Sequence, residues 1–124
     1  MVIVKIVFAI ILISFTCSSA SAQLHIFSFE AKSHVGDTVQ VDGITVATER
    51  NVKDKVTYVY FGHKPPQQEL TVLINDADLR NFPGAINKLF TQKFASVKGK
   101  VVLVKNKPTI IARNTNDFSP GPGQ

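Results

Sequence analysis

Five stretches of the chain alternate apolar and polar residues with the two-residue period of a β-strand, and one internal stretch breaks that rhythm. The alternating stretches are DTVQVDGITVAT (37–48), VTYVYFG (56–62), ELTVLIN (69–75), KFASVKGKVVLV (93–104) and PTIIAR (108–113). The exception, DADLRNFPGAINKLF (76–90), changes period. Asn75 or Asp76 can cap a helix start there, and Asp76 and Asp78 complement its dipole. Pro83-Gly84 divides the segment, which predicts two short helical turns rather than one helix. Before the first strand, FEAKSHV (29–35) predicts a short helix or turn ended by Gly36.

Two glycines lie inside the strand patterns. Val39 and Val41 share one face, and after Gly43 the residues Ile44 and Val46 take the opposite phase. A phase change at a glycine predicts a β-bulge in one long, bent strand over 37–48. In the fourth strand Ala95, Val97, Val101 and Leu103 face one way, with Gly99 among them. The order β-β-β-α-β-β is the layout of an OB-fold, a small, partly open barrel. An open sheet carrying a helix on one face fits the same order. Mid-strand glycines favour the barrel, because a short barrel needs sharp curvature and a flat sheet would only be weakened by them. The expected class is therefore all-β with a short helix, as a five-stranded OB-fold barrel.

The first residues read as a targeting segment. Lys5 precedes an apolar run from Ile6 to Phe15, and small residues end in Ala20-Ser21-Ala22. That is the pattern of a secretory signal peptide over 1–22, with cleavage after Ala22. The apolar run is shorter than the ~20 residues of a membrane-spanning helix, which leaves no span after cleavage. An uncleaved anchor and lipid attachment at Cys17 are the alternatives, although Phe15 suits a lipidation site poorly. The expected location is periplasmic or secreted. Cleavage removes the only cysteine, so the remaining residues must be held by their core without a disulfide. They divide into a domain over 23–118 and a disordered Pro/Gly tail over 119–124.

Charge narrows the partners. The chain has 14 Lys+Arg against 9 Asp+Glu; losing Lys5 leaves 13 against 9, a net charge of +4. From Lys93 to Arg113 there are six basic residues and no acid. This suits a polyanion. Catalytic chemistry lacks a foothold: His25, His34 and His63 have no metal-ligand spacing, Asp76 and Asp78 read as helix caps, and there is no G-x-S-x-G or P-loop. The chain is expected to be a non-enzyme without a cofactor.

Val39, Val41 and Gly43; Phe61, Gly62 and Pro66; Thr71, Val72 and Ile74; Gly99, Lys100 and Val101; and Asn106, Lys107 and Pro108 stand in a pattern that resembles the small OB-fold domains of exported bacterial proteins. Some of those domains are attached to secreted nucleases of the thermonuclease type. The resemblance covers nearly all of residues 30–118, with two departures, Tyr60 in place of a small polar residue and Asn106 in place of a glycine. It implies a nucleic-acid-binding fold. Ala31, Lys32, Asp37 and Gly43 partly resemble a second family, periplasmic OB-fold proteins of a stress-associated type, which implies a protein or small-molecule ligand instead.

OB-folds bind on the face of their second and third strands, between the loops joining strands 1–2 and 4–5. Single strands need cations for phosphates and aromatic faces for bases. Arg50, Lys53, Lys55, Lys105 and Lys107 are the candidate cations, and Tyr58 and Tyr60, on one side of the second strand, are the candidate stacking rings. In HKPPQQ (63–68), Pro65-Pro66 predicts an extended, polyproline-like connection. Its main expected role is structural; as a cleft wall it would aim His63 and Lys64 at the ligand. The sequence thus predicts a non-catalytic module for single-stranded nucleic acid or another polyanion, with a protein partner as the alternative.

Overall fold

The computed structural model describes residues 24–121. The expected signal peptide, its cleavage site and Cys17 lie outside the described residues, as do residues 122–124. Among the described residues the protein is all-β with short helical segments. Its strands are β1 (Leu24–Phe27), β2 (Thr38–Asn51), β3 (Val56–Phe61), β4 (Leu70–Asn75), β5 (Phe94–Lys100), β6 (Val102–Val104), β7 (Lys107–Ile111) and β8 (Phe118–Pro120). Short 3₁₀ turns span Ser28–Ser33 and Asp76–Asn81, and helix α1 spans Ile86–Phe90. The two helical turns on either side of Pro83-Gly84 match the expectation from sequence.

These strands form an eight-stranded sheet in the order β6-β7-β4-β3-β2-β5-β8, with β1 added in parallel to β2. This corrects the expected count of five strands. The hydrogen-bonded order is open, and the predicted fourth strand is two strands. It is divided at Val101, whose N–H donates to the Asp37 carbonyl (3.0 Å) and whose carbonyl accepts from the Gly36 N–H (2.7 Å). Val101 alone separates β5 from β6, although they lie towards opposite ends of the sheet order. The sheet therefore curls until those two regions meet.

The long strand β2 makes the curl possible. Thr38 to Ile44 pair antiparallel with β5, and Thr45 to Asn51 pair antiparallel with β3. At the hand-over Thr45 donates its N–H to the Lys93 carbonyl (2.9 Å), while Gly62 donates to the Ile44 carbonyl (3.0 Å). The bulge lies between Thr45 and Ala47 against β3, not at Gly43, which stays in register with Ala95. Ile44 is accordingly exposed and Thr45 buried, the reverse of the phase expected from sequence. Gly43 serves close approach instead: a Cβ there would lie 2.7 Å from Ser28 Oγ and 2.9 Å from Phe61 Cδ2. Gly99 does the same under Ile110, whose Cγ2 would be 2.7 Å from an added Cβ.

The core takes alternate side chains from β2, β3, β4 and β5, including Val39 and Val41, Val59 and Phe61, Leu70 and Val72, and Ala95 and Val97. Helix α1 closes its end by inserting Phe90, which stacks on Phe118 at a centroid distance of 3.7 Å and an interplanar angle of 9°. Phe118 also tilts against Phe61 at 6.0 Å. The segment from Phe118 to Pro120 is thus a strand paired with β5 and anchored in the core by Phe118, which corrects the expectation of disorder for Ser119 and Pro120. Its prolines and glycines suggested disorder, but one large ring and three residue pairs fix it. Leu103, expected to share a face with Ala95, Val97 and Val101, is exposed while those three are buried, because it sits opposite Pro108 where the β6–β7 hairpin projects beyond the core. Strand β1 carried no alternation long enough to announce itself in the sequence.

Candidate functional site

Alternation along β3 sends Val59 and Phe61 into the core and leaves Tyr58 and Tyr60 on the outer face. The neighbouring strands extend that face. Tyr60 is opposite Thr71 on β4, Thr71 is opposite Thr109 on β7, and Thr109 is opposite Val102 on β6. Above this row opens a groove of about 300 Å³. Tyr58, Tyr60, Glu49 and Asn51 line one side, and Val104, Lys105 and Lys107 line the other. Pro65, Pro66 and Gln68 form a wall, with Thr71 and Thr109 at the base.

Each wall is held by local bonding. The β6–β7 connection is a two-residue turn in which Lys105 (φ 51°) and Asn106 (φ 65°) both have positive φ, as a tight type I′ hairpin requires. Asn accepts that conformation readily. Lys107 belongs to β7 rather than to the turn, and its Nζ donates to the Pro66 carbonyl at 2.6 Å, tying hairpin to loop. An ammonium has three donors, so two remain for a ligand. The loop 63–68 is not an extended polyproline path. Its Pro65–Pro66 peptide is cis, and Gln67 N–H closes a turn onto the Lys64 carbonyl at 3.0 Å.

The two tyrosines differ. Tyr60 is only 6% exposed, and its hydroxyl donates to Glu49 Oε1 at 2.6 Å. Burial, and then the bond to the Glu49 carboxylate, push its phenol well above the ordinary tyrosine range. Tyr60 is therefore a neutral, anchored ring that backs Tyr58, whose ring lies 6.2 Å away at 24°. Tyr58 is half-buried and offers the more accessible aromatic surface. Gln68 adds a polar group: its Nε2 donates to Thr71 Oγ1 at 3.2 Å, while its Oε1 is buried without a hydrogen-bond partner. Turning this amide into the groove forfeits only the contact with Thr71.

Of the residues singled out by sequence, Tyr58, Tyr60, Lys105 and Lys107 come together. The others do not line the groove. Arg50 lies on the opposite face of β2 from Glu49, where its two terminal nitrogens each donate to Asp76 at 2.7 Å. This pair corrects the expected capping role of Asp76, since the 3₁₀ turn it begins has no side-chain cap. Hydrogen bonding to Arg50 holds the Asp76 carboxyl below its ordinary value. Lys53 and Lys55 sit in the exposed β2–β3 turn, and His63 and Lys64 are exposed before the prolines that form the wall.

Sequence reasoning passed over Gln68, Thr71 and Thr109, although a signal was present. Thr71 and Thr109 are single polar residues within otherwise apolar runs, in phase with the outer face. A second cleft of about 470 Å³ lies on the Arg50 side, between Thr48, Thr57, Leu79 and Ile86. Among the described residues no cluster of three His, Cys, Asp or Glu side chains could hold a metal ion, and no helix is long and apolar enough to cross a membrane.

No family model matches the chain, and no curated protein matches it. Among solved structures it is similar to a chain described as a "putative aspartyl-tRNA synthetase from Leishmania major Friedlin", with a TM-score of 0.53 and 10% identity. The match covers 86% of this chain and 22% of the synthetase, so the chain spans about a fifth of that protein's length. The likeness is one of fold, and it agrees with an OB-like arrangement.

Proposed function

We propose that the protein is an exported, non-catalytic OB-type binding module whose groove takes single-stranded nucleic acid or a similar polyanion. The observation that carries the reading is the meeting of Tyr58 with Lys105 and Lys107 across one groove of about 300 Å³. That volume is at the lower end of small-molecule pockets, ~300–1,000 Å³, and suits one planar ring with its backbone passing over the rim. Tyr58 stacks a base, Lys105 and Lys107 meet phosphates, and Gln68 offers an amide to the base edge. Tyr60 and Glu49 keep Tyr58 in place. The likeness to a synthetase chain supports the fold behind this reading and leaves the ligand to experiment.

Fluorescence anisotropy with an oligothymidylate of about 4 nucleotides, near the smallest OB-fold site size, tests the proposal. Two phosphate contacts give a salt slope of about −1.4, or roughly a sevenfold loss of affinity between 50 and 200 mM salt. Tyr58→Ala removes a stack worth ~1–3 kcal/mol. Absence of binding at low salt, or equal binding by Tyr58→Ala and by Lys105→Ala/Lys107→Ala, refutes the proposal.

The cleft of about 470 Å³ favours a second reading, a small apolar ligand held between Leu79 and Ile86. Under it, an apolar dye binds the unmodified protein and Tyr58→Ala, and Ile86→Arg abolishes that binding.

A further inference from the structure

The basic run from Lys93 to Arg113 continues past the tyrosine groove. A second groove of about 240 Å³ is lined by Lys98, Lys100, Val102, Ile111, Arg113 and Asp117. Lys98, Lys100 and Arg113 are all exposed. The ion pairs among the described residues are His25–Asp42, His34–Asp37 and Arg50–Asp76, so none of these three cations is engaged in one. The one acid present, Asp117, accepts the Arg113 backbone N–H at 3.0 Å. The groove keeps an excess of two positive charges.

The two grooves share one face of the β6–β7 hairpin. On β7, residues 107, 109 and 111 point the same way; Lys107 and Thr109 line the first groove and Ile111 the second. On β6, Val104 lines the first and Val102 the second. Val102 and Thr109 are direct cross-strand partners, so the ridge between the grooves is a single residue pair. Successive same-face residues lie about 7 Å apart along a strand, which a chain passing over the hairpin spans without a break.

We infer that Lys98, Lys100 and Arg113 form a second phosphate-binding segment, and that one single strand runs from Tyr58 across the Val102–Thr109 ridge into it. The inference rests on the reading of the first groove and extends its ligand from a ring-sized occupant to a longer strand. The first groove holds a base, while the second has no aromatic residue and contacts only the backbone. Length and salt therefore separate them. An oligonucleotide confined to the first groove meets two cations, and one that covers both meets five, which raises the salt slope from about −1.4 to about −3.5.

Anisotropy titrations of the full chain with oligothymidylates of about 4 and about 12 nucleotides, within the range of OB-fold site sizes, test the extension. The unmodified protein should bind the longer strand with roughly a hundredfold loss between 50 and 200 mM salt. Lys98→Ala/Lys100→Ala/Arg113→Ala should reduce that to roughly sevenfold and leave the shorter strand's affinity unchanged. Lys53→Ala/Lys64→Ala/Lys88→Ala removes the same charge elsewhere on the surface and should keep the steep slope; its circular dichroism and that of the first variant report folding. A triple variant that binds the longer strand with unaltered slope overturns the second segment and leaves the first groove standing. Failure of the unmodified protein to bind either strand overturns both.

Discussion

Phe118→Ala removes a ring that is fully buried, stacked on Phe90 at 3.7 Å and tilted against Phe61 at 6.0 Å. Truncating a core phenylalanine costs about 3–5 kcal/mol, and the lost aromatic pairing places this site in the upper half of that range, about 4 kcal/mol. A domain of this size is stable by ~5–15 kcal/mol, so the variant still folds but with a large share of its stability gone. At about 4–8 °C per kcal/mol, the midpoint of thermal unfolding falls by roughly 15–30 °C. Urea denaturation followed by circular dichroism measures the loss, and an unchanged m value shows that the same surface is exposed on unfolding. A loss below about 1 kcal/mol, the size of an ordinary surface substitution, refutes the placement of β8 in the core.

Three further outcomes follow from particular contacts. Gly43→Ala should cost about 1–3 kcal/mol, because the added Cβ meets the buried ring of Phe61 and the Ser28 hydroxyl; urea midpoints check this. Tyr60→Phe should cost about 1.5 kcal/mol by removing the bond to Glu49. The Tyr60 phenol is raised above 10.0, so its contribution is complete below pH 10.0 and is lost as pH rises through the higher folded value; absorbance titration near that pH should lose its late phase in the variant. Asp76 is lowered by Arg50, so the pair's contribution is present above pH 3.8 and disappears as pH falls through the lower folded value. Arg50→Ala should remove that acid sensitivity in unfolding curves and leave oligonucleotide affinity within about twofold, since only loss of a direct phosphate contact weakens binding uniformly.

Much of the fold was legible because alternation is a local property. The phases of β3, and of β5 up to Val97, follow from which residues are apolar, and Pro83-Gly84 divides the helical stretch by covalent constraint. The bulge was misplaced because a glycine reads the same whether it marks an extra residue or makes room for Phe61. Strand β8 was missed because its place depends on Phe90, 28 positions earlier in the chain, rather than on its own Pro/Gly composition. At the site, Tyr58 was legible from its face and Lys105 from its turn, whereas Lys107 reaches the groove from β7. Arg50 was not excluded by sequence, because its commitment to Asp76 is a tertiary contact between β2 and the 3₁₀ turn. The wall formed by Pro65 and Pro66 likewise needed the bond from Lys107, which joins residues 41 positions apart.

The central claim is that one face, running from Tyr58 to Lys105 and Lys107, receives the strand. Titrating an oligothymidylate into ¹⁵N-labelled protein and following amide chemical shifts tests it directly. The groove predicts that the largest changes cluster at Tyr58, Gln68, Thr71, Lys105 and Thr109, with the β2–β3 turn around Lys53 unaffected. Changes centred instead on Thr48, Leu79 and Ile86, or confined to the lysines without Tyr58, would contradict it.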